Sequence, residues 1–433
     1  MIRATAVCRH WRTTLLSFPR LWSRVYSSHR TLFEAYLERS KTVSLQVQLH
    51  DLRDHLFDSL ALHTSRLASL AVWMSDSSYF DLIARYLPTP IPTLREFSIT
   101  VNYGAGALEL PSGIGNNYFS HVKKLHLEDV SSFRASHPIP HVTELVWTVG
   151  SRGGVVPLAG LLDMMQQLPG LERVEIAFRL PPWDRRNEPA PHVVTHPHLQ
   201  RMSLRRWSGE APHILEFLKL PNLTSLDVDM VRRSPESFPV LPVTSFDQNL
   251  PNFSELIEIE VHAHDRPRRV TFRSPRAVLQ YCAVGQVLGE QPYRHDRKLL
   301  GGLHLGSVRK LIITSDEWTY APEVAWMVCL VRDLGSLEDL ELRGQCGCLL
   351  RYLRRRMVRG NPLPRIKTIT VHSGRTGIRQ ALRLKETADG LGLGIIVTCT
   401  SDPGVPDGDD WDEDGASEDW NWVENWGGGS EQD

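Results

Sequence analysis

The chain has 433 residues, 41% of them hydrophobic, with 49 basic and 50 acidic side chains. That suffices for a large core or for an elongated array with a small module, and the near-zero net charge hides a segregation: residues 402–433 hold twelve acidic side chains and no Lys or Arg. No run is long and apolar enough to cross a bilayer, Arg3, Arg9 and Arg12 interrupt the opening stretch, and six cysteines are few for this length, so neither a secretory leader nor disulfides are expected and a cytoplasmic or nuclear setting is.

Residues 7–25 read VCRHWRTTLLSFPRLWSRV. Val7, Trp11 and Leu15 are spaced by four and share one helix face, with Cys8 beside them. Pro19 stops that helix, and Leu21, Trp22 and Val25 open a second apolar cluster, which places two tryptophans around a helix–turn–helix corner. Such a clasp suits the end of a repeat array, which needs a cap. It also resembles the second half of an F-box, in which a V-C-x-x-W-R helix precedes a P-x-L-W turn. YLERSKTVSLQVQL, at residues 36–49, is similar to the segment joining such a box to a leucine-rich-repeat-like array in fungal F-box proteins. The resemblance implies docking on the Skp adaptor of a cullin-RING ubiquitin ligase through Val7, Trp11, Leu15, Leu21 and Trp22. It also implies repeats that present a substrate protein for ubiquitin transfer. The family's first helix, with its L-P-x-E-I-L motif, has no counterpart ahead of Val7, so an incomplete box with impaired docking is expected.

From Leu67 onward a phrase with apolar residues at positions one, four and six recurs eleven times: LASLAV (67), LREFSI (94), VKKLHL (122), VTELVW (142), LERVEI (171), LQRMSL (199), LTSLDV (223), LIEIEV (256), VRKLII (308), LEDLEL (337) and IKTITV (366). Start-to-start spacings lie between 20 and 33 residues, with one gap of 52, mostly the window of leucine-rich repeats. Alternation along a strand puts positions four and six on one buried face and leaves the intervening positions to the other. Helical spacing appears between phrases at residues 78–87, 158–168, 212–220 and 323–334, with Pro88, Pro169, Pro221 and Gly335 as stops. A regular repeat wants Asn nine residues into the phrase; only Asn102 stands there, so the array is expected to be irregular. Residues 181–198 and roughly 264–302 break the rhythm and read as loops leaving the array, the second with room for a poorly conforming repeat.

Motifs for chemistry are weak. His192, His196 and His198 stand in a proline-rich stretch without a completing ligand set, Cys346 and Cys348 have no second pair, and GLGLG at 390–394 runs from helix to strand, the reverse of a phosphate loop. No enzyme chemistry, cofactor or metal is therefore expected. Arginines cluster in RYLRRRMVRG (351–360) and RPRRVTFR (266–273) without interleaved aromatics, which favours a solvated face over nucleic acid. The acidic tail carries Trp411, Trp420, Trp422 and Trp426, a mixture suited to folding back on the basic body or to recruiting a basic partner.

The expected organisation is α/β: a partial F-box-like helical module at residues 1–35, an irregular leucine-rich-repeat-like solenoid at 36–400, and a disordered acidic tail at 401–433. Strand positions turned away from the core supply candidate substrate-binding residues: Lys123, Lys124, Glu172, Glu175, Arg201, Arg309, Lys310, Glu338, Asp339, Glu341 and Lys367. The leading expectation is a substrate-receptor-like F-box protein. The alternative is an interaction scaffold with no ubiquitin role, its box remnant serving as an end cap.

Overall fold

All eleven phrases are strands, and in every one the apolar residues at positions one, four and six are buried. The computed structural model describes residues 8–401 apart from 28–29, 51–53, 76–77, 88–89, 102–107, 111–117, 134–136, 151–155, 178–191, 208–210, 232–245, 264–267, 285–304, 316–326, 329 and 361–364. Val7, Asn102 and the tail lie outside the described residues. The chain is α/β and its strand pairing is mostly parallel. It divides into two compact units, Met1–Leu223 and Thr224–Asp433.

The first unit begins α1 (Arg9–Ser17), β1 (Arg24–Tyr26), α2 (Arg30–Arg39), β2 (Leu45–Leu49), α3 (Asp54–Ala61), β3 (Leu67–Met74), α4 (Ser78–Tyr86) and β4 (Glu96–Val101). It continues β5 (Leu108–Leu110), β6 (Lys124–Glu128), β7 (Val130–Phe133), β8 (Glu144–Thr148), α5 (Leu158–Gln167), β9 (Arg173–Ala177), β10 (Val194–Thr195), β11 (Arg201–Trp207), α6 (Ala211–Glu216) and β12 (Leu218–Lys219). Strands β1-β2-β3-β4-β6-β8-β9-β11 lie side by side in chain order, each pair parallel, while β5–β7 and β10–β12 form separate parallel pairs. Parallel neighbours need a crossover between them, and α2, α3, α4 and α5 lie in those from β1 to β2, β2 to β3, β3 to β4 and β8 to β9.

One hydrogen bond repeats with the phrase. The position-two amide donates to the position-two carbonyl of the preceding strand: Lys123 to Arg95 at 2.8 Å, Glu172 to Thr143 at 2.8 Å, Gln200 to Glu172 at 2.9 Å. In the second unit Glu338 donates to Arg309 at 2.8 Å and Lys367 to Glu338 at 2.7 Å. The ladder thus fixes register one residue ahead of each strand.

Helix ends in the first unit are closed by side chains from further along the chain. The Tyr118 hydroxyl is shared between the carbonyls of Ile83 (3.0 Å), which also accepts from Leu87 N–H, and Leu87 (3.1 Å), an acceptor that the end of α4 leaves open. Arg66 does the same behind α2, reaching Leu37 O, Ser40 Oγ and Val43 O.

In the second unit, β13 (Ser225–Val231), β14 (Glu258–Ala263), β15 (Arg268–Arg273), β16 (Val278–Val284), β17 (Lys310–Ser315) and β18 (Asp339–Gly344) precede α7 (Gly347–Val358), β19 (Thr368–Ser373), α8 (Arg375–Gly390) and β20 (Ile396–Ser401). Their order is β13-β16-β15-β14-β17-β18-β19-β20, with β15 antiparallel to both neighbours and the rest parallel. Leu349, Leu350, Leu353 and Met357 of α7, and Ala381, Leu384 and Ala388 of α8, are buried against the apolar strand face. In β19, Thr368, Thr370 and His372 alternate with buried residues and are only half-buried, so the opposite face is partly open.

Three expectations need correction. Within 264–302, residues 268–284 form the β15–β16 hairpin and not a loop: Val270, Phe272, Leu279 and Tyr281 alternate inward, and Ser274 closes the turn, its amide donating to Ala277 O (2.9 Å) and its hydroxyl accepting from Ala277 N–H (2.8 Å). The helix expected over 212–220 ends at Glu216, because Leu218 and Lys219 pair with β10. The end of the 181–198 stretch turns inward, so that His196 is 1% exposed.

Gly344 ends β18 with φ +83°, and a Cβ there would stand 1.9 Å from the Ser315 carbonyl oxygen. Gly344→Ala is therefore expected to cost roughly 2–4 kcal/mol, read as a lowered urea midpoint with faster hydrogen exchange in β17 and β18. His196 gives a second test. Burial pushes its imidazole down to about 4, a hydrogen bond with the Met165 backbone compensating only in part. A base whose folded pKa is depressed binds fewer protons folded than unfolded, so stability is full above the unfolded value near 6.5 and declines as pH falls toward 4. The loss is roughly 3 kcal/mol, and His196→Leu should remove that component of the pH profile.

Candidate interaction surfaces

Two regions gather the candidate residues. The first is the N-terminal clasp. Cys8 caps α1 by accepting from the Trp11 N–H (3.5 Å), and the helix ends at Phe18, held extended ahead of Pro19. Pro19–Trp22 forms a 3₁₀ turn that swings Trp22 back under α1. There its indole N–H donates to Leu15 O at 2.9 Å, closing a carbonyl of the last helical turn. Tyr36 of α2 meets the ring edge-on at 5.0 Å, and the Arg39 guanidinium stacks 4.7 Å from its centre.

Trp22 is thus 0% exposed and cannot itself meet an adaptor in this arrangement; its role is to fix the clasp. Trp11 and Phe18 are each 55% exposed and Leu21 is 37% exposed, while Leu15 is half-buried. Phe18 is the residue that spacing missed, since it falls between helix and turn and belongs to neither pattern.

The second region is the open face of each strand run. In the first unit Lys124 stands between Glu96 of β4 (3.6 Å) and Glu144 of β8 (3.5 Å), and Glu175 pairs with Arg205 (3.3 Å). Lys123, Glu172 and Arg201 are exposed at strand starts, brought into neighbouring rows by the register.

In the second unit the groups converge. Lys310 lies 3.6 Å from Glu258 and 3.2 Å from Glu341; Arg343 bonds Glu341 at 2.6 Å and lies 3.9 Å from Glu260; Arg273 bridges Glu258 and Glu260, both at 3.0 Å. His262 approaches Glu260 (3.2 Å) and His372 approaches Glu341 (3.5 Å), with Thr400 Oγ1 2.5 Å from His372 Nδ1. Burial pushes the Glu341 carboxyl up, but hydrogen bonds from Arg343 and Lys310 outweigh it and hold the group below the usual carboxylate range. At the adjoining strand starts Lys367 bonds Glu338 at 2.7 Å, and Asp339 accepts from Thr368. The Lys367 bond is also the main reason Glu338 is held low. Arg309 is exposed one residue before β17.

Five of the expected residues (Lys310, Glu338, Asp339, Glu341 and Lys367) therefore belong to this cluster or its rim. Glu258, Glu260, Arg273, Arg343, His262 and His372 complete it and were not anticipated. Glu258 and Glu260 occupy the same phrase positions as residues that were chosen; Arg343, His262 and His372 stand at position seven, one alternation beyond the phrase.

The sequence motifs for chemistry do not assemble. Among the described residues no group of three or more His, Cys, Asp or Glu is arranged to hold a metal ion, and no helix is long and apolar enough to cross a membrane. His192 lies exposed, 3.9 Å from Asp163, while His196 is buried. Burial pushes the Cys346 thiol up to about 12, and Cys348 accepts from Arg351 at 3.3 Å. Comparison with protein-family models and with curated proteins finds no match, so the functional reading stands on this geometry and on the clasp's resemblance.

Proposed function

We propose that the chain is a substrate-receptor-like F-box protein, working in the cytoplasm or nucleus. Its clasp would dock a Skp-type adaptor of a cullin-RING ubiquitin ligase, and its strand runs, read as irregular leucine-rich-repeat-like arrays, would grip a substrate protein through their open faces. The observation that carries the reading is the solvent-facing set Trp11, Phe18 and Leu21 held on a buried Trp22, in a segment that resembles the second half of an F-box. Exposed aromatic and aliphatic anchors fixed by a rigid support are what protein interfaces use as hot spots. The mixed-sign face of the second unit suits a polar protein surface better than a uniform polyanion.

The alternative is an interaction scaffold without ubiquitin chemistry, favoured by the same open face if the clasp does no docking. Co-expression with a Skp adaptor separates the two. Under the receptor reading the adaptor co-purifies, and Trp11→Ala with Phe18→Ala weakens capture by about tenfold or more while circular dichroism stays unchanged. Trp22→Ala should lose capture and also destabilise the first unit by roughly 3–5 kcal/mol. If no adaptor is captured, even when an F-box first helix is fused ahead of residue 7, the scaffold reading replaces it.

A further inference from the structure

Residues 345–401 hold eleven Lys and Arg against two acidic residues, Glu386 and Asp389, and the next 32 residues hold twelve acids and no base. This local segregation has a place in the fold. Arg351, Arg354, Arg355 and Arg356 lie on α7, and Arg375, Arg379, Arg383 and Lys385 on α8, two helices that pack against each other over the apolar strand face. Val358 and Leu382 are exposed among these cations, and the Nε of Arg351 is buried without a hydrogen-bond acceptor among the described residues.

The register sets where the acidic segment leaves. β20 runs parallel to β19 with Ser401 opposite Ser373, and Ser373 is separated from α8 by Gly374 alone. β20 therefore ends at the edge of the sheet where α8 begins. β18 ends at that same edge, since Arg343 pairs with His372, so α7 also starts there. A chain of 32 residues extends up to ~105 Å, whereas α7 and α8, at 12 and 16 residues, are ~18 and ~24 Å long. Reach is no obstacle.

We infer that residues 402–433 are an intramolecular ligand of the arginine-rich face formed by α7 and α8. Carboxylates pair with guanidinium groups there, and Trp411, Trp420, Trp422 and Trp426 stack on Arg and on the exposed Val358 and Leu382. Tethering gives the segment an effective concentration in the mM range, so even weak intrinsic affinity keeps the face occupied. Any other acidic partner of this face must displace the tail. The inference does not depend on adaptor docking.

The test uses the full chain. Carbodiimide joins lysine to carboxylate without a spacer, so treatment at low salt followed by mass spectrometry should link tail carboxylates to Lys385 within one chain, a distinction read from mixed ¹⁴N and ¹⁵N protein. The yield should fall about tenfold in Arg375→Glu with Arg379→Glu, fall likewise in high salt, and be unchanged in Lys123→Glu with Lys124→Glu on the first unit. Should the double reversal fail to fold, Arg379→Gln is expected to lower the yield about threefold. Links formed only between chains, links to Lys123 or Lys124 in place of Lys385, or a yield indifferent to the reversals would overturn it.

Discussion

Gathering the apolar residues at phrase positions one, four and six onto one buried face is the constraint from which the rest follows. A phrase buries three such residues, worth roughly 5–9 kcal/mol at about 1.5–3 kcal/mol each. Ordering a unit of some 25 residues costs on the order of 1 kcal/mol or more per residue in backbone entropy alone. A lone βα unit therefore cannot stand, and each must lend its face to neighbours. In the first unit parallel addition in chain order meets that need, and in both units a repeating position-two hydrogen bond ties successive phrases together. Because the return segments lie over the apolar face, the opposite face is left to polar groups.

That open face is not simply wet. In the second unit Glu258, Glu260 and Glu341 are matched by Arg273, Lys310 and Arg343 across five adjacent strands, β15, β14, β17, β18 and, through His372, β19. A self-neutralised network attracts no partner over long range. It discriminates at short range instead, because a ligand must replace pairs already made, and a mismatched one leaves a carboxylate or guanidinium unpaired. The cations of α7 and α8 lie instead on the helical side of the same unit. The two faces thus do different physical work.

The sequence carried the strand runs well because period-two burial and a recurring position-one aliphatic leave a clear signature: Leu94, Val122, Leu171 and Leu337 each announce a strand that follows. Where that signature lapses the reading lapsed with it. The β15–β16 hairpin has alternation in Val270–Phe272 and Leu279–Tyr281 but no leading aliphatic, and its arginines give the segment the look of a charged loop. β10 is two residues long, too short for any pattern, yet it pairs with β12 and carries His196 inward. The charged cluster was half legible: position in the phrase says which residues face outward, but only register says that Glu260 and Arg273 meet. Trp11 and Trp22 were indistinguishable from spacing, since the 3₁₀ turn at Pro19 decides which ring goes under the helix.

That division between the two tryptophans bears on what the clasp is for. An end cap must cover the apolar edge of the terminal strand and offer water a polar outer surface. Trp22, Val25, Phe33 and Leu37 perform the covering, all of them buried, and β1 pairs with β2 to close the edge. Trp11 and Phe18 are not part of that buried set. They stand more than half exposed on the outer side, where a cap would carry charge, and keeping two large rings in water is unfavourable. Their presence on a support as fixed as the Trp22–Leu15 hydrogen bond is the physical reason to weigh docking above capping.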